Sequence, residues 1–275
     1  MTDIRMADIS EWQSDIDAPA YLNGGNSCLI CRTYSGQRPD KTMPGRRDYL
    51  RKHSFTGLGW YAYLSASSSA ASPTDQARAF IQTVGQLRSN EWPILDVEEG
   101  SGSQVSRAQA WFDVVDPWAG FPAMLYASDS FLTYQLGGAA HWGNRPIWIA
   151  AYPSSYSPEP SREPSQTHLL WQYSNRASFP GLSAGVDASI AHCSAADFIK
   201  RCRAGQAPAP APDTTPAEDD AEPFVVVKQD GRLEAFVYTA QGEVKHAWQT
   251  APNAGWAGSE PGKTATWYSL GKPGK

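Results

Sequence analysis

What most constrains the fold of this chain is an alternation. Short apolar, β-prone runs are separated, again and again, by segments with helical spacing. The runs fall at residues 4–9, 27–34, 56–64, 93–98, 124–126, 146–152, 169–173 and 185–187. The clearest helix opens at Pro73-Thr74-Asp75 and places Ala77, Phe80, Ile81, Val84 and Leu87 on one stripe. Others are expected over 45–53, 106–115, 128–136 and 195–203. Strands alternating with helices at this pace pair in parallel, which makes the class α/β. Eight of them point to a closed barrel, and such barrels gather chemistry at the carboxyl ends of their strands.

Many of these strands end in residues capable of chemistry. Asp8, Arg32, Tyr61, Asp96, Glu98, Tyr126, Tyr152, Trp171 and Asp187 would share one face. Each aromatic alone reads as core, but the set beside carboxylates suits a carbohydrate groove, because sugar C–H faces stack on rings. The sharpest stretch is Pro93-Ile94-Leu95-Asp96-Val97-Glu98-Glu99-Gly100, expected to be a short buried strand starting at the proline. Alternation sends Asp96 and Glu98 to one side and Leu95 and Val97 to the other. Two residues along a strand span about 6.6 Å, within reach of one sugar unit. Carboxylates crowded against low-dielectric walls keep a proton to higher pH, and a proton donor beside an anion is what glycosidic cleavage needs. An ordinary strand running into an acidic turn would show the same residues.

Composition narrows the partners. The chain has 275 residues, 41% of them hydrophobic, and a formal net charge of -5. With no run of Lys/Arg, nucleic acid and anionic membrane are poor candidates, and no apolar segment is long enough to span a bilayer. The N-terminus lacks a signal-peptide pattern, so the protein is expected to act where it is made or to be released by something else. Cys28 and Cys31 sit three apart within one strand and so face opposite sides, which suits core thiols better than a shared metal. Cys193 and Cys202 flank a helix and could be free. The five histidines are scattered. No metal or cofactor is expected.

Several motifs resemble a known family. Ala7-Asp8-Ile9-Ser10-Glu11-Trp12-Gln13 is similar to the D-x-S-x-W-Q opening of the family 25 glycoside hydrolases, lysozymes of phage, bacterial and fungal origin. Pro93–Glu98 looks like their D-x-E strand. Gly59-Trp60-Tyr61, Leu125-Tyr126-Ala127-Ser128, Trp148–Tyr152, Trp171-Gln172-Tyr173-Ser174 and Val186-Asp187 follow in the expected order. The resemblance covers roughly residues 3–200. It implies an irregular (βα)5β3 TIM-like barrel that hydrolyses the β-1,4 bond between N-acetylmuramic acid and N-acetylglucosamine in bacterial peptidoglycan, with retention. By the same resemblance Glu98 is the general acid and then base, and Asp96 orients the substrate's 2-acetamido group. Asp8 and Asp187 complete an acidic floor, and Arg32, Tyr61, Tyr126, Tyr152 and Trp171 contact substrate. Whether the acetamido group or a carboxylate is the nucleophile stays open. Three departures touch the groove: Ala62 and Ala151 stand where the family often has His, and the acid common after the second strand's Arg is missing near Ser35.

The chain is therefore expected to hold a catalytic barrel at 1–205, a Pro/Ala-rich linker at 206–221 and a small all-β module at 222–275. In the module, short strands around Phe224–Val227, Leu233–Tyr238 and Val244–Gln249 are parted by Asp230-Gly231 and Gln241-Gly242 turns. Its motifs resemble one blade of a lectin-like β-propeller, which implies wall-glycan binding or self-association as a homo-oligomer. Phage endolysins of this type are made in the host cytoplasm and act on the wall after release, and that is the localisation expected here. A non-catalytic wall-binding protein on the same scaffold, or a glycosidase for another N-acetylated polymer such as chitin, are the alternatives.

Overall fold

The computed structural model describes residues 3–13, 15–43, 45–152, 163–183, 185–204, 224–228, 233–238, 244–248 and 268–269. The chain divides into two compact units, Met1–Ala209 and Pro210–Lys275. The expected linker at 206–221 lies outside the described residues.

The first unit is an eight-stranded closed barrel with neighbours in chain order. Its elements are β1 (Ile4–Ile9), α1 (Ala18–Asn23), β2 (Cys28–Tyr34), α2 (Gly45–Leu50), β3 (Gly57–Tyr63), α3 (Pro73–Val84) and β4 (Glu91–Asp96). They continue as α4 (Val105–Ala119), β5 (Met124–Ser128), α5 (Asp129–Gln135), β6 (Ile147–Ala150), β7 (Leu170–Ala177), β8 (Val186–Ala191) and α6 (Ala195–Cys202). The first five strands are each followed by a helix, no α-helix separates β6, β7 and β8, and α6 comes after the last strand, giving a (βα)5β3 barrel with one further helix. From β1 round to β7 every pairing is parallel. β8 runs the other way and closes the barrel antiparallel to both β7 and β1.

Alternation along the strands splits the core in two. Met6, Cys28, Ile30, Trp92, Ile94, Met124, Trp148 and Leu170 form one apolar cluster together with Phe198 and Cys202 of α6. These fill the lumen, and α6 stoppers its amino-terminal end. Ala7, Leu29, Cys31, Trp60, Leu95, Val97 and Leu125 belong to the other cluster, packed against Phe80 of α3 and Trp111 and Phe112 of α4. Cys28 and Cys31 thus lie on opposite sides of β2. Gly59 makes room for the lumen: a Cβ there would stand 2.9 Å from side-chain atoms of Ile30, Ile94 and Trp92. The indole of Trp92 occupies that space and meets Phe198 edge-on at 5.4 Å.

Some expected boundaries move. The carboxylate strand begins at Glu91, two residues before Pro93. Val97 donates its N–H to Tyr126 of β5, so odd-numbered residues of β4 face β5, and β5 is paired only from Ile94 onward. The proline's missing donor therefore falls where no ladder bond is required. α1, not anticipated, is capped by Asp17, which accepts from Ala20 N–H, and carries Pro19 in its first turn. α4 runs past its expected end to Ala119, with Pro117 tolerated in the final turn before Gly120, at φ 76°, ends it.

In the second unit, β9 (Phe224–Val227), β10 (Leu233–Tyr238), β11 (Val244–Trp248) and β12 (Tyr268–Ser269) form an antiparallel sheet in the order β12-β11-β10-β9. Ala235 and Ala247 face each other across β10 and β11 and are buried, and His246 stacks between Phe236 and Trp248.

Candidate active site

Three strands that point apolar residues into the lumen turn polar as they reach the carboxyl end. β1 passes from Met6 to Asp8, β4 from Trp92 and Ile94 to Asp96, and β7 from Leu170 to Gln172. β8 enters from the opposite direction, so its acid, Asp187, stands at its start and is paired with Asp8 across the ladder. Four carboxyl groups meet here.

Their surroundings favour protonated forms. Asp8 and Asp96 are 5% and 6% exposed, and burial raises both well above the ordinary aspartate range, reinforced by Asp187 for Asp8 and by Glu98 for Asp96. Asp187 is raised to about 6 by burial, while its hydrogen bond with Asp8 pulls the other way. Glu98 lies just past the end of β4 and is open to solvent, yet protein surrounds much of its carboxylate. That enclosure, with Asp187 second, raises its pKa. A solvent-facing carboxyl that holds its proton is equipped to give it to a leaving group.

One directed hydrogen-bond chain fixes the floor. The hydroxyls of Tyr126 and Tyr152 both donate to Gln172 Oε1, at 2.8 Å and 2.6 Å. The amide is thereby oriented, and its Nε2 donates to Asp8 Oδ2 at 2.9 Å. Asp8 in turn hydrogen-bonds Asp187, with Asp8 as the partner that keeps the proton. Across the lumen Asp96 Oδ1 is buried with no hydrogen-bond partner among the described residues.

Arg32, at the end of β2, supplies the counter-charge. Its Nε donates to Asp40 at 2.9 Å, its Nη2 lies 3.5 Å from Glu11, and its charge acts to lower the pKa of Asp96. The family acid absent near Ser35 thus leaves Arg32 with carboxylates all the same, from Asp40 and Glu11. Tyr61 lies on the lumen side of β3, and burial raises its pKa.

Trp171 is a correction. It is 2% exposed, packs in the outer cluster beside Tyr173, and donates its indole N–H to Ala151 O at 2.8 Å. An aromatic near a strand end suits a groove, but the period of two turns Trp171 away from the acids and turns Gln172 toward them. Gln172 was missed as a site residue. Its signal was a polar side chain within an otherwise apolar run.

A barrel whose strand ends bring together buried, proton-holding carboxyls beside tyrosines defines a hydrolase working by carboxylate acid–base chemistry. Residues 7–182 match the sequence pattern of the glycosyl hydrolases family 25, and the chain belongs to that family. It is a glycoside hydrolase. Among curated relatives, the uncharacterized protein YegX of Escherichia coli K12 is 27% identical over 192 residues, spanning 66% of this chain and 67% of that protein. A lysozyme from Streptomyces coelicolor superposes with TM-score 0.61 at 22% identity, covering 74% of this chain and 98% of its own. The catalytic domain of endolysin ply40, from bacteriophage P40 of Listeria monocytogenes, gives 0.60 at 24% identity over the same shares. These two likenesses are of fold.

Proposed function

We propose that the protein is a muramidase of the phage-endolysin type, cleaving the β-1,4 bond between N-acetylmuramic acid and N-acetylglucosamine. The observation that carries the reading is the contrast between Asp96 and Glu98. Asp96 is buried with an unspent acceptor, and Glu98 is open to solvent with a raised pKa. Glu98 gives its proton to the glycosidic oxygen as the bond breaks. Asp96 accepts the N–H of the 2-acetamido group, whose carbonyl oxygen attacks the anomeric carbon and forms an oxazolinium ring. Glu98, now the base, takes a proton from water, which opens the ring from the face the leaving group left, so configuration is retained. An N-acetylated sugar suits the spare acceptor of Asp96; a sugar without the acetamido group would leave it unpaired.

The second unit fits a wall-binding role. Its four-stranded antiparallel sheet matches the strand count of one propeller blade, and a lone blade has open edges that copies from other chains can cover. Digestion of purified peptidoglycan and of chitin, with identification of the new reducing end, tests the catalytic reading. New muramic acid ends support it; N-acetylglucosamine ends or chitin cleavage alone refute it. Running residues 1–205 beside the full chain in wall sedimentation and light scattering tests the module, and equal binding with both monomeric removes its role.

A further inference from the structure

Trp12 departs from the pattern of the barrel's other tryptophans. Trp60, Trp92, Trp111 and Trp148 are at most 2% exposed, whereas Trp12 is 78% exposed. It lies in the loop after β1, four residues beyond Asp8, on the catalytic face.

The loop around it is held firmly. Ser10 N–H and Oγ–H both donate to Gln13 Oε1, at 2.7 Å and 3.1 Å, and Trp12 N–H donates back to Ser10 Oγ at 3.3 Å. Arg46, 6% exposed, reaches up from α2 and donates to Ser10 O at 2.6 Å and Gln13 O at 3.1 Å. Glu11 is clasped by both terminal nitrogens of Arg38, at 2.6 Å and 2.9 Å, and by Lys41 N–H at 2.9 Å. The side chains of Glu11 and Gln13 are thus spent on the protein, and the one between them is turned to water. Glu11 also lies beside Arg32, which ties this loop to the acidic floor.

An indole presented to solvent on a backbone fixed from both sides is preorganised to bind a flat, apolar surface. Beside a groove that takes a glycan, that surface is the C–H face of a sugar ring. Building on the glycan-hydrolase reading, we propose that Trp12 is a stacking platform for a sugar unit of the polymer away from the cleaved bond. The loop clasp holds the ring ready, so the platform raises affinity for long chains without taking part in bond cleavage.

The test separates this proposal from the function it rests on. Kinetics on solubilised peptidoglycan strands compare wild type, Trp12→Ala and Trp12→Phe. In parallel, acrylamide quenching of tryptophan fluorescence is read in Glu98→Gln with and without Trp12→Phe, in the presence and absence of uncut strands, so that the difference between the two variants reports Trp12 alone. The expected result is a KM about tenfold higher for Trp12→Ala with kcat little changed, most of the loss restored in Trp12→Phe, and protection of an accessible tryptophan by glycan. A KM within twofold of wild type, or a glycan that leaves quenching unaltered, overturns the platform even where hydrolysis is normal. A loss that Trp12→Phe fails to restore assigns the effect to the loop and overturns it too. Should the wild type cleave nothing, the functional reading fails, and the quenching arm still decides the platform.

Discussion

The two ends of the barrel lumen are built by the same strands and differ in almost every physical respect. At the amino-terminal end Trp92, Trp148, Ile94 and Met6 pack under Phe198 with water excluded. At the carboxyl end, one side-chain step further, Asp8, Asp96, Gln172 and Asp187 replace them, and the three aspartates are partly desolvated and raised in pKa. A strand step is about 6.6 Å for two residues, so the change from hydrocarbon to acid occurs within one layer. The lower end contributes stability through burial. The upper end costs stability, because carboxyls are held where their charged forms are poorly solvated. The comparison shows that a rigid apolar layer directly below lets the acids be kept close together without the barrel relaxing away from them.

Changes at either end test that division. The largest expected effect is Glu98→Gln, which removes the proton donor at constant shape: activity falls by about 10²- to 10⁴-fold while the melting temperature stays near wild type. A variant that still clears walls at a normal rate would take Glu98 out of its role. Next is Trp92→Ala in the lower layer, which opens a cavity over Gly59 and costs about 3–5 kcal/mol of stability. Denaturant melts read this directly, and a loss below about 1 kcal/mol would mean the stopper is not a packed layer.

The smallest effect is a pH dependence. Asp187 sits at about 6 when folded, above its ordinary value of 3.8. Its favourable contribution is complete below the unfolded value and is lost as pH rises through about 6. Thermal stability is therefore expected to decline from pH 4 to pH 6 and to decline less in Asp187→Asn, which melts roughly 2–4 °C higher than wild type at pH 7. Superimposable pH–melting curves for the two proteins would show that the acidic end carries no such cost.

Much of this was legible in the sequence because period-two alternation and strand–helix spacing are local signals. The order of eight strands could be read that way, as could Asp8, Asp96 and Asp187 at strand tips. What was not legible depended on contacts between distant segments. That β8 runs antiparallel follows from pairing with β1, and a run as short as Gly185-Val186-Asp187 shows no direction. The residue type of Trp171 suggests a groove residue while its parity on β7 puts it in the outer cluster, and the same parity turns Gln172 toward Asp8. The clasp of Glu11, Arg38 and Asp40 around Arg32 joins the loop after β1 to the segment after β2, and no spacing announces it.

The antiparallel closure has a consequence for when the enzyme exists. Gln172 bonds Asp8 across 164 residues of sequence, and Asp187, later still, meets Asp8 only once β8 has docked beside β1. Chains are made from the amino end, and contacts of such long range form late because loop closure must come first. A chain still being synthesised, or one cut short before β8, carries Asp8, Asp96 and Glu98 without the floor that sets their protonation. The opening strand waits for the closing one, so the last strand of the barrel acts as the protein's own timer.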